Sequence, residues 1–239
     1  MSEDEASPAP RKVVHDLAED ATGFGLAELR TTRDMIVRPA ALMAALDDVG
    51  DTGGGRYARP FRYYLTLNGL YLLVIAMVGG FGRAFAVAPE GIVETWAARA
   101  GKSVDAFTAD ADQWYALTIV PLVAFFLFWP LYFWFRRWSG STPRIVSRQV
   151  WTFMGAWTLY ALPFGFINIL RPDWAGVTGF VAPILWLILL LRFGRARWWT
   201  SVLGLIGALL VLSLSLLAFQ IPAALMAFGV AALGAVYGP

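Results

Sequence analysis

The sequence predicts an all-α protein, a polytopic transmembrane helical bundle of five or six spans with a cytoplasmic amphipathic N-terminal region. Two observations support this fold class. Of the 239 residues, 58% are hydrophobic and only 15% are charged, whereas about a quarter of an average soluble domain is charged. The apolar residues also form runs of about 20, the length of helix that crosses roughly 30 Å of hydrocarbon.

The apolar runs divide the membrane part of the chain, residues 63–239, into six segments. They cover residues 63–82, 115–135, 149–170, 176–191, 199–219 and 221–237. The sixth segment follows the fifth directly after Gln220 and carries no charged residue. Because nothing in it needs water, we expect a sixth span after a tight turn at residues 220–222; a re-entrant or interfacial segment is the alternative.

Two polar regions precede the first span. Residues 1–22 form an acidic tail with Pro8 and Pro10, which is typical of a disordered segment and lacks the apolar core of a signal peptide. Residues 23–62 contain two short amphipathic helical patterns and a glycine hinge at residues 53–55. The patterns predict a pair of helices that either lies on the membrane surface or packs against the bundle.

Arginines set the predicted orientation. The loops after the second and the fourth span hold several arginines and no acidic residue, whereas the loop of residues 83–114 is mixed in charge. Since cytoplasmic loops are enriched in Lys and Arg, we expect a cytoplasmic N-terminus, and a six-span count returns the C-terminus to the same side. The abundance of Arg, Ala and Gly suggests a bacterial protein, hence a multi-pass protein of the bacterial inner membrane.

The loop of residues 83–114 is the one sizeable segment expected outside the cytoplasm. Ile92, Val93, Trp96 and Ala97 have helical spacing and predict a short amphipathic helix. Asp112 is then expected to cap the second span.

Several chemistries are excluded by composition. The chain has no cysteine and a single histidine, His15 in the acidic tail, so thiolate sites, disulfides and multi-histidine metal sites cannot form. No Asp, Glu, His, Lys or Arg lies in the middle of a predicted span, where proton relays and intramembrane catalysis need such groups. We therefore expect no enzyme activity, no metal and no cofactor.

Two kinds of candidate binding residue remain. Clusters of Trp and Arg at the cytoplasmic ends of the second and fourth spans indicate either an aromatic belt with topogenic arginines or a head-group site for anionic lipid. That site would comprise Arg136, Arg137, Trp138, Arg195, Arg197 and Trp198. Among the neutral polar residues inside the spans, Asn68 and Asn168 could contact a ligand or simply hydrogen-bond between helices.

A loose motif leads into the first span. It consists of Arg38, Pro39, Tyr57, Pro60, Phe61 and Asn68. This segment, roughly residues 34–73, resembles an uncharacterised bacterial family of multi-span membrane proteins that is distantly similar to the Yip type. The resemblance implies a helical bundle with a cytoplasmic N-terminal region and a scaffolding or trafficking-like role, and it carries over no catalytic residue. The zinc-binding N-terminus of some such proteins has no counterpart here, since the chain lacks cysteine.

The sequence therefore predicts an inner-membrane accessory or scaffold subunit that binds a larger membrane protein assembly or associates with its own copies. The expected partners are membrane lipids, including anionic lipid, and a membrane protein; nucleic acid is not expected, because the basic residues sit at membrane boundaries. The alternative is a carrier or channel for a lipid or small apolar solute. It requires an internal cavity, framed by helices that are kinked at Pro130, Pro163 and Pro183 and lined by Asn68 or Asn168.

Overall fold

The computed structural model describes residues 25–77, 91–171 and 202–237 and a scatter of positions in between. Those positions are Trp174, Val177, Val181, Ile184, Leu185, Ile188, Leu189, Arg192 and Phe193. Every regular element in the described residues is a helix, as the fold-class prediction requires. The acidic tail lies outside the described residues.

Seven helices are continuous in the described chain. They are α1 (Leu26–Val37), α2 (Pro39–Asp48), α3 (Pro60–Met77), α4 (Ile92–Ala100), α5 (Val104–Ser139), α6 (Pro143–Leu170) and α7 (Val202–Tyr237). The described positions from Val177 to Leu189, inside the predicted fourth span, are helical as well, and so are Arg192 and Phe193 just after it.

Two of the described helices are long and apolar enough to cross a membrane, judged by length and composition. The qualifying stretches are Val104–Arg137 and Pro143–Ile167, fewer than the five or six spans predicted. Their most apolar windows are only 17% and 33% buried, whereas the core helix of a soluble protein is mostly buried. These two helices thus support association with a membrane.

Helix α5 begins at Val104, well before the predicted start near residue 115. Ser103 caps it, since its Oγ accepts a hydrogen bond from the backbone N–H of Ala106 at 3.2 Å. The prediction that Asp112 caps this helix is therefore wrong: Asp112 lies two turns inside it, because the polar residues before the apolar run are already helical. The predicted short helix of the same loop is confirmed as α4.

Helix α7 is continuous from Val202 to Tyr237, so the predicted turn between a fifth and a sixth span is wrong. Pro222 lies inside the helix, where a proline removes one hydrogen bond and kinks the helix without having to end it. Apart from Pro222, the residues around Gln220 include none of the Gly, Asn, Asp or Ser that favour a tight turn. The helix therefore continues through this point.

The long helices α5 and α7 pack extensively against each other. Lys102, just before α5, donates a hydrogen bond to the carbonyl of Ala235 near the end of α7 at 2.8 Å. The end of α7 therefore lies at the opposite end of α5 from Arg136 and Arg137. The six-span prediction instead expects the C-terminus on the same side as those arginines, so the arrangement of α5 and α7 does not agree with it.

Two separate clusters of buried side chains hold the helices together. The larger, called here the aromatic core, includes Met35, Leu42, Leu46, Tyr63, Phe135, Val146, Phe153 and Phe193. The smaller, called here the alanine core, consists of Ala97, Phe107, Ala111, Ala231 and Ala235. The aromatic core joins α1, α2, α3, α5 and α6 at one end of α5, and the alanine core joins α4, α5 and α7 at the other.

The N-terminal helices pack against the bundle. Helix α2 contacts α6 and buries Leu42, Met43 and Leu46. Helix α1 buries Met35 in the aromatic core but leaves Leu29 exposed. Of the two arrangements that the sequence left open, packing against the bundle therefore holds for α2 and for one side of α1. The predicted glycine hinge between α2 and α3 is a turn in which residues 53–55 all have positive φ, which glycine adopts without steric cost.

Candidate functional site

A cavity of about 200 Å³ lies between α3, α5 and α6. Most of its wall is apolar. The apolar lining comprises Val123, Leu127, Leu131, Phe153, Met154, Trp157, Ala161 and Leu162, and the hydrogen-bonding lining comprises Tyr64, Asn68, Tyr71 and Thr158. A small number of polar groups in a largely apolar wall is typical of small-molecule binding sites.

Helix α3 supplies three of the four hydrogen-bonding residues of the cavity. Tyr64, Asn68 and Tyr71 are spaced by four and then three residues, so they lie on one face of the helix. Helix α6 supplies the fourth, Thr158. The sequence therefore places a polar stripe on the side of α3 that faces the cavity.

Several groups in this stripe are available to a bound molecule. The amide nitrogen of Asn68 donates to the carbonyl of Tyr64 at 2.8 Å and to Oγ1 of Thr158 at 3.3 Å, and Thr158 Oγ1 donates to the carbonyl of Met154 at 3.1 Å. Among the described residues, no donor reaches Oδ1 of Asn68, and no partner reaches the hydroxyls of Tyr64 and Tyr71. One acceptor and two hydroxyls thus line an otherwise apolar space.

Small residues on α6 bring this helix close to α3 on both sides of the cavity. A Cβ added to Gly165 would lie 2.8 Å from the hydroxyl of Tyr71, and one added to Gly155 would lie 3.1 Å from the ring of Tyr63. Trp151 on α6 stands against the other side of Tyr64, with ring centroids 5.4 Å apart. These contacts fix the ring of each tyrosine relative to α6.

The predicted polar and proline positions are only partly described. The structure places Asn68 in the cavity lining, and Pro130 and Pro163 lie inside α5 and α6, each next to a lining leucine. The side chain of Asn168 and the whole of Pro183 lie outside the described residues.

The predicted lipid head-group cluster is also only partly described. Arg136 and Arg137 are exposed in the last turn of α5. The side chain of Trp138 and the residues Arg195, Arg197 and Trp198 lie outside the described residues. This cluster therefore stays a prediction.

A second polar site, missed at the level of sequence, surrounds Asp34 on α1. Asp34 is 1% exposed, and its carboxylate accepts hydrogen bonds from the hydroxyl of Tyr57 at 2.8 Å, from Arg33 Nε at 2.8 Å and from Arg38 Nη2 at 3.2 Å. Arg56 Nη2 lies 3.4 Å from Oδ2 of Asp34, the oxygen that also accepts from Tyr57. One buried carboxylate thus gathers three arginines and a tyrosine.

The charge state of Asp34 follows from these contacts. Burial by itself raises the pKa of the carboxyl, but the hydrogen bonds from Tyr57, Arg33 and Arg38 outweigh burial and lower the pKa from 3.8 to about 2. Asp34 is therefore ionised at neutral pH. A signal for this site exists in the sequence, because Glu28, Thr31 and Asp34 recur every three residues on α1 and so share one face.

A further ion pair fixes the segment between α2 and α3 to α6. Asp51 accepts a hydrogen bond from Arg148 Nε and lies 3.6 Å from Arg144 Nη2. Arg148 also donates to the carbonyl of Leu46 at 3.1 Å. Burial tends to raise the pKa of Asp51, but the two arginines lower it overall. The N-terminal region is thus attached to the bundle by charge as well as by apolar packing.

Within the described residues, no three His, Cys, Asp or Glu side chains come together in a way that could hold a metal ion. The polar groups of the cavity are hydroxyls and an amide, which ordinarily bind and orient a molecule by hydrogen bonding. The arrangement therefore favours binding.

Comparison with known proteins identifies no relative of this chain. No family model matches the sequence, and neither a curated protein nor a solved structure is detectably similar to it. The resemblance to the Yip-like bacterial family consequently stays a prediction.

Proposed function

We propose that this protein is a multi-span membrane protein that carries a small amphiphilic molecule, bound in the cavity between α3, α5 and α6. The observation that supports this best is the stripe of Tyr64, Asn68 and Tyr71 facing an otherwise apolar wall. Hydrogen-bonding groups in an apolar environment are costly unless they are satisfied. A ligand with a neutral polar end and an apolar body would satisfy them.

The size of the cavity limits the ligand class. An apolar cavity of about 150 Å³ holds a benzene-sized molecule, and this one measures about 200 Å³. It therefore fits a ring or short chain with one or two hydrogen-bonding groups, and any longer apolar part of the ligand would extend through the open side of the cavity.

The proposed membrane position rests on surface composition. Large apolar side chains recur about every fourth residue on the exposed side of α7, for example Leu210, Leu214 and Leu225, exposed by 59%, 64% and 68%. Such rows are unfavourable in water and suit lipid. Together with the arginine-rich loops, they support a bacterial inner-membrane protein with a cytoplasmic N-terminus.

The test compares the same substitution at two positions of α5. Leu127 lines the cavity and is 6% exposed, whereas Leu117 is 68% exposed. Leu127→Trp should fill the cavity and abolish retention of a small amphiphile during purification in mild detergent, measured by mass spectrometry of extracted small molecules. Leu117→Trp should leave retention unchanged.

A second variant, Asn68→Leu, keeps the test valid if Leu127→Trp does not fold. Asn68→Leu keeps the branched shape and the number of side-chain heavy atoms but removes the amide. It should lower retention about tenfold, as expected for a lost polar contact in an apolar site, and its thermal unfolding midpoint should show that it is folded. Equal retention by the wild type and both cavity variants would overturn the proposed carrier function.

A second candidate function, an accessory or scaffold subunit, is favoured by a row of aromatic side chains on α5. Phe125, Trp129 and Phe133 are exposed at four-residue intervals, and Trp129 and Phe133 stack with ring centroids 6.1 Å apart. Such a rigid row could pack against a partner helix in the membrane. Trp129→Ala with Phe133→Ala should then abolish co-purification of a stoichiometric membrane protein while leaving amphiphile retention intact.

A further inference from the structure

Helix α1 has its polar and apolar sides reversed relative to an ordinary surface helix. Glu28, Thr31 and Asp34 are 1–2% exposed, whereas Leu29 and Val37 are 55% and 64% exposed. A helix at the surface of a soluble protein buries its apolar side and exposes its charges. The outer side of α1 combines these apolar side chains with exposed Arg30 and Arg33, a mixture suited to the boundary between the head groups and the acyl chains of a membrane.

Three arginines border this apolar side. Arg33 and Arg38 extend from α1 and its end, and Arg56 comes from the segment just before α3. Each has a side chain about half exposed, at 56%, 53% and 51%, although each contacts the buried carboxylate of Asp34. Arg33 follows Leu29 by four residues on the helix, so its guanidinium lies next to the apolar row.

The three arginines carry more positive charge than the carboxylate of Asp34 can neutralise. Three arginines face one carboxylate, Asp34, which leaves an excess of two positive charges. Within the described residues, no other carboxylate lies within ion-pair distance of Arg33, Arg38 or Arg56. A guanidinium has five N–H donors, and these arginines use only one or two each on Asp34. The remaining donors are available to an anion.

We propose that Arg33, Arg38 and Arg56 bind the phosphate of an anionic phospholipid at the cytoplasmic membrane surface, with the apolar side of α1 against the acyl chains. Arginine matches phosphate oxygens geometrically as well as by charge. Asp34 is a positioning residue that holds the guanidinium groups together. The proposal rests on the membrane position in the proposed function, but it does not depend on the cavity or its ligand.

The exposed apolar side chains next to the arginines favour the phosphate of a lipid over that of a soluble phosphate ester. A soluble phosphate ester would need only the arginines, and the exposed row of Leu26, Leu29, Ile36 and Val37 would then face water. A phospholipid uses both features, since its phosphate meets the arginines while its chains cover the row. We therefore assign the site to a lipid head group.

The test uses the full-length protein in mixed micelles that contain phosphatidylglycerol and phosphatidylcholine, with bound lipid counted by native mass spectrometry. Arg56→Gln is the first variant, because Arg56 makes the longest of the contacts to Asp34 and its loss leaves the others in place. Retention of phosphatidylglycerol should fall about tenfold, the effect expected when one hydrogen bond between charged groups is lost. Arg33→Gln combined with Arg56→Gln should lower it further, but the two effects need not multiply, because both arginines contact Asp34.

Arg59→Gln is the matched control. Arg59 is also exposed just before α3, but it does not contact Asp34. The control should keep wild-type retention, and the thermal unfolding midpoint of each variant should show that it is folded. If Arg59→Gln lowers retention as much as Arg56→Gln, general electrostatic attraction accounts for binding and the site does not exist.

Two further outcomes would overturn the proposal. If wild type shows no preference for phosphatidylglycerol over phosphatidylcholine, there is no anionic head-group site. If millimolar glycerol phosphate displaces the lipid from wild type, the arginines bind a soluble phosphate ester instead. Retention of the small cavity ligand should be unchanged in Arg56→Gln, so failure of this proposal and failure of the carrier function can be told apart.

Discussion

The aromatic core and the alanine core lie at opposite ends of α5 and are built from side chains of different size. In the aromatic core many of the fully buried residues are large, and Phe153 packs its ring against Phe135 and Phe193 with centroids 5.9 Å and 6.3 Å away. In the alanine core the residues contributed by α7, Ala231 and Ala235, are small and have no exposed surface. Small residues let helix backbones approach closely, whereas large rings keep them apart.

This difference explains where the binding features lie. The cavity and the cluster around Asp34 are both at the aromatic end, where large rings leave space between helices and where α1 and α2 add charged groups. At the alanine end a Cβ added to Gly234 would come within 2.5 Å of the ring of Trp114, so α7 and α5 are in close contact at this point. The alanine end serves as an anchor, and the aromatic end carries the candidate sites.

The largest effect is expected from removing the central ring of the aromatic core. Phe153→Ala should lower the free energy of unfolding by about 3–5 kcal/mol, because a fully buried ring leaves a cavity that its neighbours cannot fill. The measurement is a denaturant titration of the detergent-solubilised protein. Phe133→Ala is the control, since Phe133 is 63% exposed on the neighbouring α5, and it should change the free energy by less than about 1 kcal/mol.

The aromatic end should also be the acid-sensitive end. The pKa of Asp34 falls from 3.8 to about 2 in the folded protein, so its contribution of about 2 kcal/mol is fully present above pH 4 and is lost as the pH falls from about 4 to about 2. Asp34→Asn should remove this part of the pH dependence of the free energy of unfolding.

A residual slope should persist in Asp34→Asn. The pKa of Asp51 is also lowered, by Arg148 and Arg144, so it contributes in the same direction. An Asp34→Asn variant whose stability depends on pH as strongly as that of the wild type would show that the arginine cluster does not stabilise the folded state. Asp110, which is partly exposed and pairs with Lys102 at the alanine end, offers a comparison variant, Asp110→Asn.

The helical class and most helix positions follow from apolar runs and periodicity. The spacing of Ile92, Val93 and Trp96 correctly predicts α4, and the apolar runs correctly place parts of α3, α5 and α6. The ends are less predictable from hydropathy, because a helix in a membrane protein continues through polar residues wherever its cap lies. Ser103, not Asp112, is the residue that starts α5.

The candidate site is less predictable for a physical reason. Asn68 stands out because an amide inside an apolar run is costly, so the sequence draws attention to it. Tyr64 and Tyr71 do not stand out, since tyrosines are common at membrane boundaries and only the packing of α3 on α6 turns them towards the cavity. Asp34 was missed because a charged residue on a short helix is usually solvated, and its burial depends on Tyr57 and Arg56, more than 20 residues away.

The smallest effect is expected at the alanine end, where one cation supplements apolar packing. Lys102 Nζ lies 2.8 Å from the carbonyl of Ala235 and 2.8 Å from Asp110 Oδ2, so it meets the partial negative charge at the end of α7. Lys102→Met should lower the free energy of unfolding by about 1 kcal/mol. Arg99→Met, an exposed site on α4 without such a contact, should have almost no effect in the same titration. If Lys102→Met proved as damaging as Phe153→Ala, close packing of alanines would not suffice to hold α5 and α7 together, and the contrast between the two cores would fail.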